Sequence, residues 1–286
     1  MRLILILTGL LAFQNVTASE FDETKTLADQ GMAAAQHNLG VMYWNGQGVP
    51  ENDAEAVKWF RKAADQGYVN AQYNVGSMYD SGQGVPENDA EAVRWYRKAA
   101  DQGDVNAQLN LGVMYDKGEG VPENDAEAVR WYRKAADQGD VKAQFNLGLK
   151  YDNGQGVPEN DAEAVRWYRK AADQGHGNAQ FNLALMYDDG DGVPENDAEA
   201  VRWYRKAADQ GDADAQYNLG LMYGKGDGVP ENNIRAYVWW SMAKTQGDIA
   251  AATNIDRLKP MMTTQQIADG QALATKCYES NYKACD

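Results

Sequence analysis

The hydrophobic positions of this chain keep a helical spacing that breaks and restarts at fixed intervals. Between Val69 and Gly103, Ala71, Val75, Met78 and Tyr79 fall at i, i+4, i+7 and i+8, on one face of a helix. Asp80-Ser81-Gly82-Gln83-Gly84-Val85-Pro86 then ends it, because glycine accepts left-handed backbone and proline cannot continue the hydrogen-bond ladder. A second helix is predicted to start at Glu87-Asn88-Asp89. Asn88 with Glu91 has capping-box spacing, and Asp89 is the alternative cap. Ala92, Val93, Tyr96, Ala99 and Ala100 form its apolar face, and Asp101-Gln102-Gly103 closes it. Acids in its first turn and Arg94, Arg97 and Lys98 further on suit the helix dipole. Nothing alternates with period two, so no strands are expected.

The same pattern returns every 36 residues. Val-Pro-Glu-Asn stands at 49–52, 85–88, 121–124, 157–160, 193–196 and 229–232 and takes six of the 7 prolines. Gly31, Gly67, Gly103, Gly139, Gly175, Gly211 and Gly247 mark the same interval. A period of this size means stacked supersecondary units, because a lone helix pair cannot bury both of its apolar sides. Ala71, Gly76, Ala99 and Ala100 let backbones approach, and Trp95 and Tyr79 fill the remaining space.

The ends depart from the repeat. Phe21 to Gly31 reads as a lone second helix that caps the start. The last repeat drifts to Ile234-Arg235-Ala236-Tyr237-Val238-Trp239-Trp240, and Asp248 to Leu258 is an orphan first helix. Thr263 and Gln266 have capping-box spacing and open a final helix to about Lys276. Met1-Arg2, the apolar run Leu3–Phe13 and the small residues Val16 and Ala18 have the order of a secretory leader cleaved after Ala18; the run is too short to span a bilayer. No cysteine stands directly after that site, which excludes lipidation there, and no second apolar stretch reaches spanning length. The expected place is therefore the periplasm or beyond, as an exported protein not inserted in the membrane. An oxidising compartment favours an intrachain disulfide between Cys277 and Cys285, against free thiols or an intermolecular bridge.

Composition narrows the function classes. A formal net charge of −15 disfavours nucleic acid and anionic membrane surfaces as partners. With 2 His and 2 Cys, multi-zinc, iron–sulfur and disulfide-dense designs are excluded, and no cofactor is expected.

Leu39-Gly40-Val41-Met42-Tyr43 has the L-G-x-x-Y core of tetratricopeptide first helices, with Gln36 where those repeats often carry Trp and a period longer than their 34 or so residues. The longer period, the Gly-x-Gly-Val-Pro turn and the Trp-Tyr-x-x-Ala-Ala second helix resemble Sel1-like repeats over about residues 21–260. The resemblance implies an all-α protein: a right-handed α/α solenoid (superhelix) of about six 36-residue helix-turn-helix repeats with capping helices. The expected division is a leader over 1–18, a capping helix over 19–31, repeats over 32–247, and C-terminal capping helices with a disulfide-closed tail over 248–286. It implies an adaptor whose first helices line a concave face. Exported bacterial relatives often serve as envelope or virulence-related interaction proteins, and a few cysteine-rich ones have been linked to penicillin binding.

On that face the zero position of each first helix holds His37, Tyr73, Leu109, Phe145, Phe181 and Tyr217; four residues on stand Val41, Ser77, Val113, Leu149, Leu185 and Leu221. Asn70, Asn106, Lys142, Asn178 and Asp214 form a polar edge, and Ala71, Val75 and Met78 lie nearly opposite. Such a stripe suits a peptide or protein segment; its other use is packing against the adjoining first helix. Asn38, Asn74, Asn110, Asn146, Asn182 and Asn218 run alongside, either to bridge a ligand's backbone or as a repeated interhelical bond. Arg94, Arg97, Lys98 and their equivalents are expected on a solvated outer face.

Signals for catalysis are weak. Ser241-Met242-Ala243-Lys244 has the S-x-x-K spacing of penicillin-recognising serine enzymes but no S-D-N or K-T-G beside it. Asp188-Asp189-Gly190-Asp191-Gly192 lacks calcium-loop spacing. His37 and His176 lie in different repeats without a partner acid. The sequence therefore predicts a monomeric, non-enzymatic scaffold that binds a protein or peptide client. The alternative is a penicillin-binding or β-lactam-hydrolysing enzyme.

Overall fold

The computed structural model describes residues 18–285, so nearly all of the expected leader lies outside the described residues. Among the described residues there are 15 α-helices, one 3-10 turn and no strands, in tandem helix-turn-helix repeats of about 36 residues. They form two compact units, up to Asn124 and from Asp125.

In the first unit α1 (Ala18–Asp29) packs on α2 (Ala33–Asn45), which pairs with α3 (Asp53–Asp65). Next come the pair α4 (Val69–Ser81) and α5 (Asp89–Asp101), and then α6 (Val105–Lys117). In the second unit α7 (Asp125–Asp137) meets α8 (Val141–Asp152), and α8 pairs with α9 (Asp161–Asp173). The pairs α10 (Gly177–Asp189) with α11 (Asp197–Ala208) and α12 (Ala213–Lys225) with α13 (Asn233–Thr245) follow. Both α14 (Ile249–Leu258) and, after the turn Lys259–Met261, α15 (Thr264–Glu279) pack on α13.

Each boundary has a local cause. Asn88, not Asp89, caps α5: its Oδ1 accepts from the Glu91 N–H at 3.1 Å, and the Glu91 carboxylate pairs with Arg94 instead of closing a box. Asn52, Asn160, Asn196 and Asn232 cap their helices in the same way. Gly192 has φ +68°, and a Cβ there would come within 2.4 Å of the Asp161 carbonyl carbon. The turn of one repeat therefore lies against the start of the preceding second helix, and only glycine fits.

Side chains close the core. Tyr168 is fully buried over Gly148, whose missing Cβ would stand 2.6 Å from its ring. At the equivalent places in the next repeat stand Ala184 and Tyr204, both 0% exposed. Buried Gln180 donates to the Ala172 carbonyl at 3.0 Å and accepts from Gln210 at 2.7 Å, and Gln72 and Gln216 are held alike. The amide satisfies a helix-end carbonyl inside the core, which accounts for Gln where related repeats carry Trp.

The basic set of the second helices is only partly a solvated face. Arg94 is exposed on its own helix, but Arg97 hydrogen-bonds the Tyr115 hydroxyl, its guanidinium carbon 5.4 Å from that ring's centroid. Lys98 sits 3.7 Å from the Trp95 ring centroid, and Lys170 and Lys206 cover Trp167 and Trp203 likewise.

At the C-terminus the capping box of Thr263 and Gln266 forms, and α15 runs to Glu279, slightly beyond the expected end. Cys277 and Cys285 are bonded. The tail returns to the α11–α12 turn: Lys283 donates to the Asp209 carbonyl at 3.2 Å and the Tyr282 ring lies beside Gly211.

Candidate functional site

The first helices bury one side completely and the other by half. In the second unit Ala143, Leu147, Ala179, Leu183, Ala215 and Leu219 are 0% exposed. Phe145, Leu149, Phe181, Leu185, Tyr217 and Leu221, across the same helices, are only half-buried. In the first unit His37, Val41, Tyr73, Ser77, Leu109 and Val113 are half-buried too. Three ladder rings lean on an aromatic of their own second helix: Tyr73 on Tyr96 at 5.7 Å, Phe145 on Tyr168 and Phe181 on Tyr204 at 5.9 Å between centroids. The residue capping the next first helix forms one wall. His176 stacks on Phe145 at 4.6 Å, and Tyr68 tilts against His37 at 5.1 Å.

The asparagine row is engaged with the fold's own polar groups. Asn74 Nδ2 lies 3.2 Å from His37 Nε2, and Asn110 bonds the hydroxyls of Tyr73 and Tyr96. Asn182 reaches Tyr168 and Asn218 reaches Tyr204; Asn146 is half-buried, and Asn38 is exposed beside His37.

Two features escaped the sequence reading. The Tyr96 hydroxyl donates to Asp80 at 3.1 Å, Tyr168 to Asp152 at 2.9 Å and Tyr204 to Asp188 at 3.1 Å. Burial pushes all three carboxyls above the usual range, opposed by the donated hydrogen bond, and neighbouring acids push the same way as burial. Burial and then the facing carboxylate drive the tyrosine hydroxyls up as well. Comparing the repeats with one another would have found the pair. Where the Asp is Trp44 or Gly224, the residue sixteen on is Phe60 or Trp240, so both members vanish together. The second is Lys150, which takes a position held by Met42, Met78, Met114, Met186 and Met222 elsewhere. It is buried, with Nζ 2.7 Å from Asp125 Oδ1 and 3.2 Å from Gln155 Oε1.

The catalytic candidates have structural occupations. The Ser241 hydroxyl donates to the Tyr237 carbonyl at 2.7 Å within α13, and Lys244 is exposed. His176 caps α10, its Nδ1 accepting from the Ala179 N–H at 3.3 Å, and burial lowers the basicity of both histidines. Gly190 ends α10 in left-handed conformation. Among the described residues no group of three or more His, Cys, Asp or Glu is placed to hold a metal ion.

A family model described as "Sel1 repeat" matches residues 33–68, 69–104, 105–140, 141–176, 177–212 and 213–248, a register one residue later than the sequence-based division. Similar solved structures include two with more than a third of their aligned residues identical. One is c5321, a protective antigen present in uropathogenic Escherichia coli strains displaying an SLR fold. It is 38% identical with a TM-score of 0.80, over 91% of this chain and 56% of its own. The other is a Sel1 repeat protein from Oxalobacter formigenes, 37% identical with a TM-score of 0.64, over 79% of this chain and 92% of its own. The chain thus spans little more than half the length of the E. coli protein. No curated protein matches it significantly.

Proposed function

Because this chain belongs to the Sel1 repeat family, whose repeats generally mediate protein–protein interaction, we propose that it is a non-enzymatic scaffold holding a protein or peptide segment on its ladder. The observation that carries this reading is the contrast within the first helices. Their core-facing positions are sealed and nearly uniform from repeat to repeat. Their ladder positions stay half-open and change from Tyr to Leu to Phe, beside second helices that are identical in α5, α7, α9 and α11. Side chains that only stack could be copied unchanged; variation at an open apolar row suits recognition.

The client would bury apolar side chains against Tyr73, Leu109 and Val113 in the first unit and Phe145, Leu149, Phe181, Leu185, Tyr217 and Leu221 in the second. Asn74, Asn110, Asn146 and Asn182 would steady the rings from the side. Phe145, already wedged between Tyr168 and the capping His176, loses little freedom on binding, which keeps the ordering cost there with the client. In this proposal the protein is an exported, periplasmic monomer. The leader-like order of residues 1–18 and the bonded cysteines support that placement. Among the described residues no helix is long and apolar enough to cross a membrane.

The test is affinity capture from the cell-envelope fraction with the wild-type chain and with Phe181→Asp/Leu185→Asp. The variant is expected to lose the specific client while its helical circular dichroism is unchanged; retention of the client overturns the reading. A labelled β-lactam is expected to leave Ser241 unmodified.

A further inference from the structure

Two hollows beside the ladder share one construction. In the second unit Leu185 and Met186 floor a pocket of about 210 Å³, with Asn182, Asp152, Asp189 and Asp191 around it. In the first unit Val41 and Met42 floor a pocket of about 400 Å³, ringed by Asn38, Gln47, Thr24, Glu20 and Glu23. Asn38, Val41, Met42 and Gln47 occupy the repeat positions of Asn182, Leu185, Met186 and Asp191, four repeats earlier. The other acids have no such equivalence. Glu20 and Glu23 come from the capping helix α1, which is outside the repeats, whereas Asp152 ends α8. The apolar floor thus comes from equivalent repeat positions, whereas its carboxylates come from different pieces of chain in the two units.

In the second unit that negative charge is not neutralised from within. Among the described residues no Lys or Arg forms an ion pair with Asp152, Asp189 or Asp191. Asp152 Oδ2 accepts from the Tyr168 hydroxyl, and burial together with Asp161 and Asp191 disfavours its charged form, a cost that a cation in the pocket would relieve. The carboxylates are not grouped to chelate a metal.

The geometry points to a client whose docking segment carries Lys or Arg between apolar residues: the aliphatic stem lies on Leu185 and Met186, the cationic head reaches Asp152, Asp189 and Asp191, and adjacent apolar side chains seat on Phe181 and Leu149. Long basic side chains are suited to a site with a greasy floor and an acidic rim. The formal net charge of −15 steers the same partner and repels an acidic one. This inference rests on the ladder reading above and specifies the chemistry of its client.

The test uses the full chain and short fluorescent peptides with Leu and Phe at fixed positions and Lys/Arg, Ser or Glu at the rest. The basic peptide is expected to bind about tenfold tighter than the serine peptide, the Glu peptide weakest, and the preference to shrink with added salt. Asp152→Asn/Asp189→Asn/Asp191→Asn should bring the basic peptide to the serine level. Asp101→Asn/Asp137→Asn/Asp173→Asn, the same charge change on exposed second-helix ends, should not. If the triple pocket variant melts early, Asp189→Asn/Asp191→Asn, at two exposed positions, carries the test. Equal binding of basic and serine peptides, or equal loss in both Asn variants, overturns the basic client. The ladder reading then survives if Phe181→Asp/Leu185→Asp still abolishes binding of both peptides. Spermine displacing the basic peptide at similar concentration, unaffected by Leu185→Asp, also overturns it in favour of a free polyamine. No binding by any peptide overturns both readings.

Discussion

Gly192 and Gly175 both hold left-handed backbone, at φ +68° and +91°, yet their surroundings differ. A Cβ on Gly192 would strike the Asp161 backbone, whereas nothing lies within 4 Å of one on Gly175. Gly175→Ala is expected to cost about 1 kcal/mol, the conformational term alone. Gly192→Ala should cost about 3 kcal/mol or more, because rigid backbone must move. Denaturant midpoints check this, and equal costs would refute the turn-to-helix contact. Asp188 supports a pH prediction. Burial raises its carboxyl, Asp189 and Asp197 add to this, and the Tyr204 hydroxyl and Lys225 oppose it. The folded chain therefore holds this proton more tightly than the unfolded one. The stabilisation is full below the unfolded value of about 3.9 and is lost as pH rises through the folded value. An Asn can still accept from Tyr204 and does not titrate. The melting temperature of Asp188→Asn minus that of wild type should be most positive at pH 7 and should shrink towards pH 4. Left-handed glycines were legible because the chemistry of glycine is local. The Asp–Tyr pairs were not, because they join two helices and become visible only when repeats are compared.

The second helices could be read almost completely from sequence. Their caps, apolar face and closing glycine all lie within one short segment, and the only open choice, Asn88 or Asp89, turned on a hydrogen bond. The first helices were harder. Their apolar residues surround them, and whether a ring such as Phe145 is sealed or half-open depends on Tyr168 and His176, which belong to other elements. The terminal helix shows the same limit. Its capping box was evident, but its end was not, since the bond from Cys277 and the return of the tail to Asp209 hold its last turn. Cys277→Ser/Cys285→Ser is expected to cost about 2–3 kcal/mol. Hydrogen exchange should rise in the last turns of α15 and at the α11–α12 turn and stay unchanged near α8. Unchanged protection at both places would show that the tail contacts suffice without the bond.

For the whole molecule, the period fixed the architecture, but no residue in the third repeat signals that the compact units divide at Asn124, between α6 and α7. Stability in such a protein is close to a sum over repeats and their interfaces. Excising 141–176, one complete repeat, is expected to leave a cooperatively melting helical chain of lower stability. Excising 141–157 alone should unfold it, because a second helix would lose its partner; circular dichroism and calorimetry distinguish the outcomes. The identity of α5, α7, α9 and α11 has one more consequence. Interchangeable parts carry no address. While folding, a first helix can close on the wrong copy and leave a whole hairpin looped out, and nothing in the borrowed copy itself resists the error. Correct registration must then come from the unlike pieces: the variable first helices and the two ends, which exist only once.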